Sequence, residues 1–140
     1  MKKIFSLFLM ISALIAFSCS DNATGPTTGG IGGGIGGGGN TGGVTYTVSL
    51  AQDNQQQYYF EFKPSVDAVI TTITANCAAA NVNNEQVTDD GTTVYNANNP
   101  AYVGPITILA QGQQWTFTIA GKLGSSTGTA YSATANFTVQ

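Results

Sequence analysis

The chain predicts an all-β protein: a single antiparallel β-sandwich of seven or eight strands over residues 44–140. Three observations predict it. Apolar residues recur at every second position in many short runs, the period of a half-buried strand. Gly, Asn, Asp and Pro punctuate those runs at short intervals, as turns between strands do. Past the N-terminal apolar segment, no stretch shows helical periodicity. Roughly 97 residues, Val44 to Gln140, carry the pattern. A domain of that size buries about two thirds of the surface its unfolded chain exposes, enough for one core.

Ahead of the domain the chain reads as an address. Met1-Lys2-Lys3 is a short positive start, and Ile4 to Phe17 is apolar. That stretch is too short to span a bilayer, which needs about 20 residues, but it suits the apolar region of a signal peptide. Ala16-Phe17-Ser18-Cys19 follows. It resembles the bacterial lipobox, in which small residues precede a cysteine whose sulfur takes diacylglycerol and which becomes the new N-terminus. Ala16 stands where leucine is usual. The resemblance implies a signal peptide over residues 1–18 and a lipid on Cys19, which would hold the protein at a membrane. By resemblance to lipoprotein sorting in enterobacteria, Ser20 after the cysteine does not signal inner-membrane retention, which implies the cell outer membrane as the expected location.

Residues 19–43 then form a tether. From Gly29 to Gly43 nearly every residue is glycine, interrupted by Ile31, Ile35, Asn40 and Thr41. Such a segment buries too little apolar surface to offset its backbone entropy and is expected to stay open. A Gly-rich coil of about 24 residues spans roughly 25–30 Å. A phosphate-cradling glycine loop would need a strand before it and a helix after it, and the sequence offers neither.

In the domain, Val44, Tyr46, Val48 and Leu50 point one way and Thr45, Thr47 and Ser49 the other. Tyr58, Phe60 and Phe62 alternate with Tyr59, Glu61 and Lys63. Ile70, Ile73, Ala75 and Cys77 mark a third strand. Gln86 to Asp89 and Thr92 to Tyr95 flank Asp90-Gly91, a tight-turn signal. Ile106 and Ile108 indicate a further strand, and Trp115, Phe117 and Ile119 alternate most cleanly. Tyr131, Ala133, Ala135, Phe137 and Val139 complete the pattern.

The segment Leu109-Ala110-Gln111-Gly112-Gln113-Gln114-Trp115, the strand Trp115-Thr116-Phe117-Thr118-Ile119 and the triplet Phe62-Lys63-Pro64 are similar to the pattern of fibronectin type III domains. The spacing of Ile70, Ile73, Ala75 and Cys77 fits that family's third strand. The resemblance covers Val44 to Gln140 and is shared in part with immunoglobulin-like sandwiches. It implies a sandwich with Trp115 at the corner leading into the sixth strand. Trp115 replaces a tyrosine there, so no hydroxyl is available to bond back to the turn. No Arg-Gly-Asp attachment motif is present, so the resemblance implies the fold and not an adhesive function.

Composition narrows the chemistry. Past residue 18 the lysines are Lys63 and Lys122, and seven acids oppose them: Asp21, Asp53, Glu61, Asp67, Glu85, Asp89 and Asp90. The net charge of −5 that results argues against nucleic acid, whose binding rests on cations that neutralise phosphate. With no histidine in the chain, a Ser-His-Asp triad is impossible. The acids are scattered, so no enzyme, no catalytic residue and no cofactor is expected. Cys77, in an alternating strand, reads as a small buried core residue. Asn83, Glu85, Asp89 and Asp90 supply hard oxygen donors of the kind calcium takes, although Asn and Asp are also ordinary turn residues.

Four residues stand out as a candidate contact patch: Tyr59, Tyr95, Asn98 and Tyr102. Tyr59 has the opposite parity to Phe60 and Phe62 and should face solvent. Tyr95 and Tyr102 flank an amide-rich loop, and tyrosine gives large contact area at low entropy cost. The plainer alternative is that Tyr95 and Tyr102 cover the sandwich edge and Tyr59 is a cross-strand partner. The expected function is an interaction module, for a protein or glycan partner, displayed on a lipid tether. The competing expectation is a structural or spacer subunit of an envelope assembly, packed by its edge strands.

Overall fold

The computed structural model describes residues 3–5 and 43–140. Most of the expected signal peptide, Cys19 and all of the tether but Gly43 lie outside the described residues. The strands are β1 (Lys3–Phe5), β2 (Tyr46–Gln52), β3 (Tyr58–Pro64), β4 (Ala68–Cys77), β5 (Val82–Thr88), β6 (Val94–Tyr95), β7 (Ala101–Ile106), β8 (Gln114–Leu123) and β9 (Ala130–Thr138). They form a β-sandwich. One sheet has the order β1-β7-β3-β2, and the other β5-β4-β8-β9, with β6 also on β4. All pairings are antiparallel except that of β1 with β7.

Alternation works because each sheet has one dry face. Phe60 and Phe62 on β3, and Trp115, Phe117 and Ile119 on β8, point into the space between the sheets and are buried. Val44, Val48, Ile70, Ile73, Cys77, Tyr131, Ala133 and Ala135 join the same core. Its centre is aromatic. Phe60 lies 5.0 Å from Trp115 and 4.8 Å from Phe117 between ring centroids. Phe62 meets Phe117 edge-on at 5.0 Å and 90°. The negative face of one ring thus meets the positive edge of another, across the two sheets. Each such pair adds about 0.5–1.5 kcal/mol beyond area burial.

One flank is closed by tyrosines. The Tyr46 and Tyr131 hydroxyls share a hydrogen bond, and Tyr131 also donates to the Val69 carbonyl at 3.3 Å. Burial raises both phenols above their ordinary pKa, Tyr46 the further of the two, so both remain neutral. Gly121 makes this closure possible: a Cβ there would lie 1.9 Å from the Val69 oxygen and 2.8 Å from the Tyr131 hydroxyl.

Asp90-Gly91 turns the chain as expected, with Gly91 at φ +70°, and the strands on either side of it pair with β4 and not with each other; the expectations for the extent of β5 and for Ile108 are corrected. β5 pairs with β4 from Thr72 to Cys77 and β6 pairs with Ala68 and Val69. Strand β4 is ten residues long, so both short strands line one edge of it in succession. Strand β5 also reaches back to Val82, through Asn83 and Asn84. Its middle is exposed on an edge and Asn84 is left-handed at φ +53°, so no apolar alternation marks it. Ile108 lies beyond the end of β7 and is 42% exposed.

Trp115 is 2% exposed at the centre of the aromatic cluster. Trp115→Ala is expected to cost about 3–5 kcal/mol, much of the stability of a small domain. Chemical denaturation should find the variant mostly unfolded or barely stable. A denaturation midpoint equal to that of the wild type would place Trp115 outside the core.

Candidate functional site

The structure separates the four residues expected to form a patch. Tyr59 does point to the outer face of its sheet, but it is covered, with 4% exposure. Its ring lies over Gly104, 2.9 Å from where a Cβ would stand. Its hydroxyl donates to Asp53 at 3.1 Å and to Gln57 at 3.2 Å. The register between β3 and β7 shifts between Tyr58 and Phe60. Before this bulge Tyr58, expected in the core, is 44% exposed. The extra residue lies on β7, between Val103 and Ile106, while the β2–β3 register runs unbroken through Tyr58, the first residue of its strand; the missing side chain at Gly104 leaves a seat for the Tyr59 ring.

Tyr95 is a core residue, 1% exposed, paired with Ala68 on β4. Its hydroxyl donates to Asp89 at 2.6 Å. Burial and that carboxylate raise its pKa. It therefore anchors β6 and is not a contact residue. Asn98 is exposed in the following loop, where its N–H donates to the Asn96 side chain at 3.0 Å. Tyr102 is half-buried on the other sheet and donates to Glu61 at 3.0 Å. The two tyrosines bracket the crossing of the chain from one sheet to the other, so they do not share a face.

The four oxygen donors are not gathered either. Asn83 and Glu85 are exposed on β5, while Asp89 and Asp90 lie past its end. Strand rise of about 3.3 Å per residue puts Asn83 and Asp89 roughly 20 Å apart, far beyond one coordination sphere. Asp89 is occupied by Tyr95 and by the Asp90 N–H. Asp90 accepts the Thr92 N–H and hydroxyl. Among the described residues no group of three or more metal-ligating side chains occurs. Cys77 is a free thiol, 2% exposed in the core, as its strand position indicated.

Two polar arrangements went unread. The first lies on the outer face of β2, β3 and β7. The Glu61 carboxylate accepts the Ser49 hydroxyl at 2.7 Å and the Tyr102 hydroxyl at 3.0 Å, and pairs with the Lys63 ammonium at 3.0 Å. The Glu61 side chain is 14% exposed and that of Lys63 41%. Burial pushes the Glu61 pKa up, but the bonds from Ser49, Lys63 and Tyr102 outweigh it and hold the group below its ordinary value. Ser49 and Glu61 are cross-strand partners, so the strand register was the signal.

The second is the corner before β8. Gln113, 7% exposed, accepts the Ala110 N–H at 3.0 Å and the Trp115 indole N–H at 3.3 Å through one amide oxygen. Its amide nitrogen donates to the Ile108 carbonyl at 2.9 Å. Gln113 thus ties Trp115 to the turn, the task that the absent tyrosine hydroxyl left open.

One end of the sandwich carries an open, amide-lined concavity formed by Asn76, Ala78, Asn81, Val82 and Asn83. None of the family models, curated proteins or solved structures compared with the chain matches it. The molecule is defined by its own geometry: a β-sandwich with a closed aromatic core, a polar outer face centred on Glu61, and exposed strand edges.

The lowered pKa of Glu61 has a testable sign. The ionised group stabilises the fold above its unfolded pKa, and that contribution is lost as pH falls through the lower folded value. Glu61→Gln is expected to flatten the stability–pH curve between about pH 5 and 3. Denaturation series at several pH values check this. Parallel curves for wild type and variant would show that the Ser49, Lys63 and Tyr102 contacts do not favour the charged form.

Proposed function

We propose that the chain is a lipoprotein whose β-sandwich is displayed as an interaction module on a Gly-rich tether at the outer membrane. The observation that carries this reading is the order of segments. A positive start and apolar run end at Ala16-Phe17-Ser18-Cys19, glycine dominates to Gly43, and a packed domain begins at Val44. A lipid on Cys19 holds the protein at the bilayer, and the tether lets the domain reach outward by roughly 25–30 Å. The module is a fibronectin type III-like sandwich. Trp115 in the core, the corner bonded through Gln113, and β5 joined to β4 support that reading.

The reading assigns recognition and no catalysis. Its partner is a protein or glycan, met through surface and edges. A structural subunit is the second reading, favoured by the seating of an added strand on β7. Sedimentation of the isolated protein separates the two: a display module is monomeric, a structural subunit multimeric.

Cys19→Ala tests the anchor. The variant is expected to remain unprocessed or to be released from the membrane fraction, and to lose metabolic labelling by fatty acid. A variant that is processed and partitions like the wild type would remove Cys19 as the lipid site.

A further inference from the structure

Strand β7 lies at the edge of the domain, and the structure shows how that edge is used. Residues Lys3–Phe5 pair with it in parallel, Lys3 against Tyr102, Ile4 against Val103 and Phe5 against Gly104. Those three residues belong to the segment read above as a signal peptide. On that reading, processing at Cys19 removes β1 and leaves the backbone donors and acceptors of β7 unpaired. An unpaired edge is a template for strand addition.

The surroundings of the edge define what fits it. Pro105 follows Gly104 in β7 and has no N–H to give, so the ladder is short and ends near Gly104. In the direction β1 runs, the chain of β7 continues to Ile106, whose partner across the sheet is Tyr58. Tyr58 is 44% exposed and Ile108 is 42% exposed, two of the large apolar side chains left in solvent. A strand seated as β1 is, and continuing onward, is led toward that apolar end. Two copies joined about a twofold axis normal to the sheet would set β7 against β7 antiparallel. The parallel register points instead to a different segment.

We propose that the β7 edge of the processed protein is an acceptor for an extended, apolar strand from another envelope polypeptide, added parallel to Tyr102–Gly104. This rests on the reading that residues 1–18 are removed. Main-chain hydrogen bonds supply the affinity, and the exposed Ile108 just past the end of β7 favours an apolar continuation.

The test uses the chain from Ser20 to Gln140, which contains the whole core from Val44 to Val139. The probe is a synthetic peptide of residues 1–8, spin-labelled at its N-terminus. NMR titration is expected to show saturable binding and slowed amide exchange at Tyr102–Gly104. Paramagnetic broadening should be strongest toward Ala101, as a parallel strand requires. Changing Ile4→Pro in the peptide leaves the domain intact and is expected to weaken binding by about tenfold or more, since proline cannot keep the ladder. No saturable binding, protection away from β7, broadening strongest at Ile106, or equal binding by the proline peptide would each overturn the proposal. A dimer with β7 protected in the absence of peptide would assign the edge to a second copy and overturn it too. N-terminal sequencing of the envelope protein reports separately on processing: a retained Met1 overturns the removal of residues 1–18, while the peptide titration alone decides whether the edge accepts a strand.

Discussion

The two sheets are held together by aromatic contact between β3 and β8. Phe60 touches Trp115, Phe117 and Phe137, and Phe62 closes on Phe117. Phe60 and Phe62 come from an inner strand of one sheet and Trp115 and Phe117 from an inner strand of the other, with Phe137 on the edge strand β9 beside them, so the remaining strands pair outward from this contact. A domain this small has little surplus stability. Five rings supply much of its apolar volume, and the smaller Val, Ile, Ala and Cys77 side chains fill the space around them. The corner at Gln113 matters for the same reason. It fixes where β8 begins, and hence where Trp115 and Phe117 enter the core.

The fold was legible because burial in a sandwich repeats every two residues. Trp115, Phe117 and Ile119 alternate without interruption, and their strand has the simplest register, paired residue by residue with β9. Legibility failed where the backbone departs from that period. Tyr58 is the first residue of β3 and is left outside at the strand end, and the irregularity on β7 at Gly104 made a seat that hides Tyr59. Neither event is written in side-chain hydropathy. Tyr95 lies in a strand of two residues, too short for any period to show. The middle of β5 is polar on both faces because it is an edge, so it reads as a loop. The Glu61 cluster was within reach: Ser49 and Glu61 oppose each other once the β2–β3 register is known, and Lys63 shares the face of Glu61.

These local features bear on function through what they leave open. The tyrosines that could have offered rings to a partner are instead spent within the structure, on Asp53, Asp89 and Glu61. Oxygen donors on β5 are strung along a strand. The surfaces that remain are an amide-lined end, an outer face carrying Lys63, and strand edges. Backbone edges recognise extended chains through main-chain groups, which suits the interaction module proposed above.

The central claim is that direct contact between Phe60 and Phe117 couples the sheets. A double-mutant cycle with Phe60→Leu and Phe117→Leu, read by chemical denaturation, tests it most directly, because leucine keeps the core apolar and the single variants folded. The account predicts a coupling of about 0.5–1.5 kcal/mol between the two positions. Effects that add to within about 0.3 kcal/mol would contradict it, showing that the rings fill volume independently and that the sheets are joined elsewhere.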